Sequence, residues 1–137
     1  MKSKIFPLFI AVMMVVLFSA PVFAYSSGYA FTIQLRAVDG SENGQYHSLG
    51  ASNAHISGKA YVYDSAPGSL GPYDIYYTLH KEVIGVDPNY GTINGGINGS
   101  FSGIFPNNGG ASDKYYLFIW KVEDDGNDVY GSGGVSN

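Results

Sequence analysis

Hydrophobic and polar residues alternate along most of the chain, in runs separated by turns rich in glycine, proline, asparagine and aspartate. In the first run, every second residue is apolar; these residues are Tyr29, Phe31, Ile33, Leu35 and Ala37. A period of two is typical of a β-strand with one buried face, because successive side chains of a strand point to opposite sides. No window after residue 24 shows the spacing of an amphipathic helix. The pattern predicts a first strand over residues 29–37 and an all-β protein.

Four later segments show strand patterns as well, after a polar stretch, Ser41–Ala54, that is expected to be a long loop. They are His55–Asp64, Tyr73–Ile84, Lys114–Glu123 and Asp128–Val135. Lys114–Glu123 is apolar on both faces, which favours a central strand, whereas the glycine-rich Asp128–Val135 predicts an edge strand. Lys81 is the one polar residue on the apolar side of its strand. We expect it at a sheet end, where its stem can lie along apolar surface.

The segment Gly91–Pro106 has a quasi-tetrapeptide repeat in which large apolar residues recur at every fourth position. These are Ile93, Ile97, Phe101 and Phe105, with a glycine halfway between each pair. Because four is a multiple of the strand period, all four side chains would share one face of a single strand. The glycines would leave gaps for aromatic rings of a neighbouring strand. We therefore favour one long strand, with room for a bulge, over a hairpin at Asn94-Gly95 or Asn98-Gly99.

Six or seven strands at this spacing predict a single antiparallel β-sandwich or small barrel over residues 25–137. The preceding residues 1–24 have the features of a signal peptide: Lys2 and Lys4, an uncharged apolar run and a small residue, Ala24, before the predicted cut. The run is short for a membrane span, so we expect cleavage, secretion and no stable membrane anchor.

The composition argues against several classes of function. The chain of 137 residues contains no cysteine, which excludes disulfides, cysteine-ligated metals and a cysteine nucleophile. Its net charge of −4 argues against a nucleic-acid partner, because binding to phosphates needs clustered lysine and arginine. No G-x-S-x-G motif occurs and nothing brings two carboxylates together, so we predict neither enzymatic activity nor a cofactor.

Two groups of polar residues are candidate metal ligands. The acidic turn at Asp124, Asp125 and Asp128 is a weak calcium candidate, because it lacks the glycine and closing glutamate of an EF-hand loop. A solvated turn is the simpler interpretation. The three histidines have no metal-binding spacing and are expected on the surface or in loops; they are His47, His55 and His80.

Aromatic residues give the best functional lead, since the chain has 12 tyrosines and a single tryptophan. Aromatic faces beside polar groups suit sugar rings, which stack their C–H faces on a ring while their hydroxyls meet hydrogen-bonding groups. The candidate ligand-binding residues are Tyr61, Tyr63, Tyr76, Tyr116 and Trp120. We therefore predict a secreted, non-catalytic module that binds a carbohydrate or a cell-envelope polymer.

Two alternatives remain from the sequence. The uncharged segment Gly91–Phe105 would support self-association into an extracellular structural or matrix assembly, provided that it forms an edge strand. A small secreted toxin, antimicrobial or inhibitor would act through the loops Ser41–Ala54 or Ser65–Pro72, where no residue stands out.

Overall fold

The computed structural model describes residues 25–106 and 109–137, so the predicted signal peptide lies outside the described residues. The strands, numbered in chain order, are β1 (Ser26–Ile33), β2 (Ala37–Asp39), β3 (Tyr46–Leu49), β4 (Ala54–Ser65), β5 (Ile75–Lys81), β6 (Asn89–Gly96), β7 (Gly99–Phe105), β8 (Ser112–Trp120) and β9 (Asn127–Ser136). The described residues form no helix, and hence none that could cross a lipid bilayer. The predicted all-β class is confirmed, with more strands than the pattern indicated.

The strands form two antiparallel sheets that face each other. Sheet A has the order β1-β9-β4-β7; sheet B has the order β2-β8-β5-β6, with β3 also paired to β8. The chain crosses between the sheets repeatedly, so strands adjacent in sequence mostly lie in different sheets. This order is that of a jelly roll, a sandwich built from two Greek keys. The predicted sandwich is confirmed, and the two separate sheets distinguish it from a closed barrel.

Aromatic rings from both sheets fill the centre of the core. Tyr77 of β5 is fully buried and stacks on Phe101 of β7, with ring centroids 4.4 Å apart. Tyr29 and Phe31 of β1 meet the Tyr77 ring edge-on, with ring centroids 6.0 and 5.8 Å away. Aliphatic residues such as Ile33, from both sheets, surround these rings. Residues at alternating positions of facing strands therefore build one continuous core.

Strand β9 corrects the prediction of a glycine-rich edge strand, because it lies between β1 and β4 in sheet A. Its glycines are opposite the aromatic residues of β1: Tyr29 pairs with Gly133 and Phe31 with Gly131. A Cβ atom on Gly131 would overlap the Phe31 ring and lie 3.0 Å from the Lys59 carbonyl oxygen. The glycines thus make room for rings in a central strand rather than marking a weak edge.

The segment Gly91–Pro106 is not one strand, so that prediction is wrong. It forms β6 and β7, which join at a turn where Asn98 has a φ of +57° and lie in different sheets. The hairpin alternative assumed that a turn would scatter the large residues over both faces of one sheet. Since the turn passes from sheet B to sheet A, Ile93, Ile97 and Phe101 all still pack against the core.

Two of the three predicted glycine gaps in this segment are filled by a side chain, whereas a Cβ at Gly99 would have nothing within 4 Å. Gly95 lies beneath the Tyr77 ring, and a Cβ there would overlap that ring and approach Phe101. Gly103 of β7 lies similarly against the side chain of Ile93 from the facing strand β6, where a Cβ would come within 2.7 Å. Glycine is therefore required at both positions by close packing, with a ring of the same sheet at Gly95 and with the facing sheet at Gly103.

Two other boundaries differ from the prediction. The first strand ends at Ile33, and the chain crosses to sheet B before Ala37, so Leu35 is exposed instead of buried. The stretch predicted as a long loop, Ser41–Ala54, contains the strand β3, whose His47 and Leu49 are buried. The expected central position of the Lys114–Glu123 strand is confirmed, because β8 pairs with β5 on one side and with β2 and β3 on the other.

Gly131 offers a direct test of the ring-on-glycine packing. We expect Gly131→Ala to lower the free energy of unfolding by about 1–3 kcal/mol, because the new methyl group must displace Phe31 or the backbone of β4. Gly28→Ala is the matched control, since its Cβ would lie 3.6 Å from the nearest atom, the Gly133 carbonyl oxygen. Urea unfolding followed by tryptophan fluorescence measures both. Equal effects of the two substitutions would contradict this packing.

Candidate functional site

The five predicted ligand-binding residues divide between opposite surfaces of the sandwich. Tyr61 and Tyr63 are on the outer face of sheet A, on β4. Tyr76 of β5, together with Tyr116 and Trp120 of β8, belongs to the outer face of sheet B. The strand pairing brings Tyr76 directly opposite Trp120, whereas Tyr116 pairs with His80. The sequence could not assign Tyr116 and Trp120 to an outer face, because Lys114–Glu123 is apolar on both faces, and it could not assign any strand to a particular sheet.

The outer face of sheet B carries a set of six rings, which we call the aromatic face. Its members are Tyr46, Tyr76, His80, Tyr116, Phe118 and Trp120. Tyr76 and Trp120 stack with centroids 4.7 Å apart and an interplanar angle of 22°. His80 stacks on Tyr116 at 5.4 Å and 15°, and meets Phe118 edge-on at 6.4 Å. The rings therefore form two groups on one face of β5 and β8, the Tyr76–Trp120 pair and a cluster of Tyr46, Tyr116, His80 and Phe118.

Hydrogen bonds fix the orientation of the Tyr76–Trp120 pair. The Trp120 indole Nε1–H donates to the Thr78 hydroxyl at 3.1 Å, and that hydroxyl lies 2.8 Å from the hydroxyl of Thr92. Thr78 is itself buried although it lies on the outer face. Because the indole nitrogen is held by a covered hydroxyl, the tryptophan ring is pre-organised rather than free to rotate.

Polar and small residues border this ring pair. Asn94 of β6 is the cross-strand neighbour of Tyr76, and its amide donates to the exposed Asp74 carboxylate at 2.8 Å. Ala37 of β2 is the cross-strand neighbour of Trp120. Asn94 and Ala37 therefore border the stacked pair on its two sides.

Tyr116 supports the aromatic face from below rather than forming its surface, since only 6% of the residue is exposed. Its hydroxyl donates to the Asp87 carboxylate at 2.7 Å. Burial, and next this hydrogen bond, raises the pKa of Tyr116 above its usual range. The hydrogen bond from the Val83 backbone N–H, and next that from Tyr116, holds the pKa of Asp87 below its ordinary value. The pair fastens the β5–β6 loop to β8.

Tyr61 and Tyr63 form a separate, smaller group on sheet A. The Tyr61 ring lies 5.5 Å from that of Tyr130 on β9, tilted by 55°. The Tyr63 hydroxyl donates to the Asp128 carboxylate at 3.3 Å. Both tyrosines are more than two-fifths exposed. They share no surface with Tyr76 or Trp120.

In the acidic turn, Asp125 accepts hydrogen bonds that use its carboxylate oxygens within the protein. The fully buried Lys121 ammonium lies 2.6 Å from Asp125 Oδ1, which also accepts from the Asn127 backbone N–H. The Tyr73 backbone N–H donates to Oδ2 at 2.7 Å. Burial alone would raise the pKa of Asp125, but the hydrogen bond from Lys121 and those from the backbone hold it below its ordinary value. The turn is organised around an internal cation.

The histidines lie apart from one another. His55 is exposed on the outer face of sheet A, and His80 belongs to the aromatic face. His47, expected on the surface or in a loop, is buried, because β3 turns it into the core beside Tyr29. Among residues 25–106 and 109–137, no three histidine or acidic side chains are grouped to hold a metal ion.

His47 has a serine partner, since its Nδ1 lies 2.6 Å from the Ser27 hydroxyl oxygen. A serine beside a histidine is the start of a nucleophile and base pair. The cavity next to His47, however, holds only about 10 Å³, the space of a single water molecule. The contact therefore satisfies a buried imidazole and offers no room for a substrate.

Sequence reasoning missed Tyr46, His80 and Phe118 as members of the aromatic face. Phe118 was detectable, because it lies midway between Tyr116 and Trp120 and so shares their side of the strand. His80 shares the side of Tyr76 for the same reason. Tyr46 carried no signal of this kind, since its strand β3 lies in a stretch that the polar pattern marked as a loop.

No family model matches the chain, and no curated protein matches it. Among solved structures, it is similar to the Yersinia pseudotuberculosis-derived mitogen, with a TM-score of 0.39 and 11% identity over 81% of this chain and 86% of that one. It is also similar to the structure of infectious bursal disease virus, Gt strain, with a TM-score of 0.34 and 14% identity over 86% of this chain. The match spans only 30% of the viral chain. Likenesses at this level carry no argument about function.

The buried Lys121–Asp125 ion pair should contribute more to stability than an ion pair on the surface. We expect Lys121→Met to lower the free energy of unfolding by about 3–5 kcal/mol, because it leaves the Asp125 carboxylate buried without its cation. Lys114→Met is the control: Lys114 lies 3.7 Å from Glu82 with both side chains about half exposed, and its loss costs less than about 1 kcal/mol. Denaturant unfolding measures both. Restoration of the Lys121→Met variant by calcium would point instead to a cation site.

His47 makes stability depend on pH. Burial lowers the pKa of its imidazole to about 4 from the ordinary 6.5, so the unfolded chain binds a proton more readily than the folded one between these values. Stability is therefore lost as the pH falls from about 6.5 to 4, by up to about 3 kcal/mol. We expect His47→Gln to flatten this dependence in unfolding experiments at several pH values, whereas His55→Gln on the exposed face leaves it unchanged. Identical slopes in the two variants would refute this assignment.

Proposed function

We propose that this chain is an exported, non-catalytic binding protein that takes a carbohydrate polymer on the aromatic face of sheet B. The observation that carries the proposal is the stacked Tyr76–Trp120 pair, held in place by Thr78 and bordered by Asn94 and Asp74. Export rests on the signal-like residues 1–24, and the absence of catalysis rests on the lack of a catalytic motif.

Stacking on a pre-organised ring suits the chemistry of sugars. The apolar C–H face of a pyranose packs against an aromatic face, and its ring hydroxyls then point sideways toward polar groups. Beside Tyr76, the amide of Asn94 and the carboxylate of Asp74, which are hydrogen-bonded to each other, offer a donor and an acceptor. This combination of a stacking ring and adjacent hydrogen-bonding groups supports a carbohydrate ligand better than a purely apolar one.

The shape of the face favours a polymer over a single sugar. The partly exposed rings of β5 run from Tyr76 to His80, about 13 Å along the strand. An extended chain lying along β5 and β8 would therefore make more contacts than a monosaccharide. The acidic residues at its borders, Asp39 and Asp74, favour a neutral polymer over a polyanion.

Only three of the five candidate residues have a role in the proposed site. Tyr76 and Trp120 are assigned to contact with the ligand, and Tyr116 is assigned to support of the surface beneath it. Tyr61 and Tyr63 are assigned no part in this site, because they lie on the opposite sheet. They serve as natural controls for the effect of removing an exposed tyrosine.

Trp120 is the single tryptophan of the chain, so its fluorescence reports directly on the proposed site. We expect binding to cellulose, chitin or purified peptidoglycan in a sedimentation assay, and a shift in Trp120 emission with soluble fragments of the polymer that binds. Tyr76→Ala should weaken binding about tenfold, the equivalent of about 1.4 kcal/mol, because it removes the stacking face.

The matched control is Tyr61→Ala, which removes an exposed tyrosine from sheet A and should leave both retention and emission unchanged. Circular dichroism checks that each variant is folded. If none of the polymers is retained, the proposal fails. If Tyr61→Ala abolishes retention and Tyr76→Ala does not, the ligand lies on the other sheet.

A further inference from the structure

The two edges of sheet A are open backbone edges. Within residues 25–106 and 109–137, β1 and β7 each pair with one neighbour only, so half of their N–H and C=O groups point away from the sheet. Such a row of unpaired groups is a template for another strand. Natural proteins protect it with charged residues, proline or bulges.

Neither edge of sheet A carries these protections. Ser26–Ile33 and Gly99–Phe105 contain no charged residue and no proline. Both strands also keep an uninterrupted register with their inner neighbours, β9 and β4. One carbonyl is covered: the Gln45 side chain donates to the Ala30 oxygen at 3.0 Å.

The edges of sheet B are irregular by comparison. The pairing of β6 with β5 is shifted at two places, and Gly91 and Gly96 have φ values of +114° and +65°. The opposite edge is divided between the short strands β2 and β3. Bulges and breaks of this kind prevent a continuous ladder with a second chain. The open edges are thus confined to one of the two sheets.

Strand direction allows the two open edges to pair with each other. Sheet A has four antiparallel strands, so β1 and β7 run in opposite directions. When a second copy lies beside the first in the same orientation, β7 of one copy meets β1 of the next as an antiparallel pair. The strands have 8 and 7 residues, so their lengths match.

The outward side chains on both edges are small enough to permit this approach. On β1 they are Ser26, Gly28, Ala30 and Thr32, all exposed; on β7 they include Ser100 and Ser102, also exposed. Ile104 adds an apolar side chain that is half exposed at the end of β7. Small residues and one apolar side chain favour contact between copies over solvation of the edge.

We infer that copies of this chain associate head to tail, with β7 of one copy extending sheet A onto β1 of the next. Because two different edges are used, the contact is heterologous and can repeat from copy to copy. Repeated in one orientation, it gives an open, one-dimensional array joined by backbone hydrogen bonds. This inference does not depend on carbohydrate binding.

Charge substitutions at the two edges test this pairing. We expect Ala30→Lys with Ser102→Lys to lower the association constant about tenfold or more, because like charges meet across the new strand pair. Ala30→Lys with Ser102→Glu changes the same positions but places opposite charges together, and should associate more strongly than the double lysine variant. Sedimentation equilibrium from micromolar to millimolar concentration measures the association constants of the unchanged chain and of both double variants, each recovered from an exporting host.

Ser57→Lys is the control for added charge, since Ser57 is exposed on the same face but belongs to the central strand β4. It should associate like the unchanged chain, and circular dichroism confirms that each variant is folded. A strict monomer at millimolar concentration overturns the inference. Association that is equal in the double lysine and the lysine–glutamate variants also overturns it, because the contact then lies elsewhere.

Discussion

Close contact between aromatic rings and backbone that lacks Cβ atoms is the constraint on which this sandwich depends. Sheets that pack face to face lie about 10 Å apart, and large rings fit into that space only where the residues beside them are small. Tyr29 and Phe31 lie over glycines of the neighbouring strand β9 in sheet A, and Tyr77 lies over Gly95 of the neighbouring strand β6 in sheet B. The chain's 19 glycines and 20 tyrosines and phenylalanines are therefore linked in part, since rings and gaps occur as pairs.

A core packed in this way affects the outer surfaces. Because β5 and β8 are central strands of sheet B, their backbone groups are paired on both sides, which makes them a rigid support. Both strands carry rings on their outward side as well as their inward side, as Tyr76 and Tyr77 illustrate. The aromatic face thus rests on the most firmly held part of the sheet, and the Thr78 hydroxyl fixes its tryptophan from that same strand. Binding surfaces with fixed side chains lose less conformational entropy when a ligand arrives.

Alternation along the sequence predicted the strands and their buried sides well, but it contains no information about which sheet a strand joins. The segment around Ile97 shows why: its large residues point into the core on both sides of the turn, so a crossing between sheets looks like one continuous strand. The same ambiguity separated Tyr61 from Tyr76, which the pattern placed together. His47 and Lys121 were missed for another reason. His47 is buried beside Ser27, which is distant from it in the sequence, and Lys121 is buried within the geometry of the acidic turn. No local pattern in the sequence records either arrangement.

The open edges and the aromatic face belong to different sheets, and this separation has a consequence for binding. If copies repeat in one orientation through β1 and β7, every aromatic face points to the same side of the array, and none is covered by the contact. A polymer lying across several copies would then meet several equivalent sites, so that each further contact is intramolecular and the overall affinity exceeds that of one site. A shallow, single aromatic face binds a sugar weakly on its own, because its buried area is small. Repetition along sheet A would supply the affinity that one copy lacks. In that arrangement sheet B carries the proposed binding surface, and its irregular edges keep it out of the proposed contact between copies.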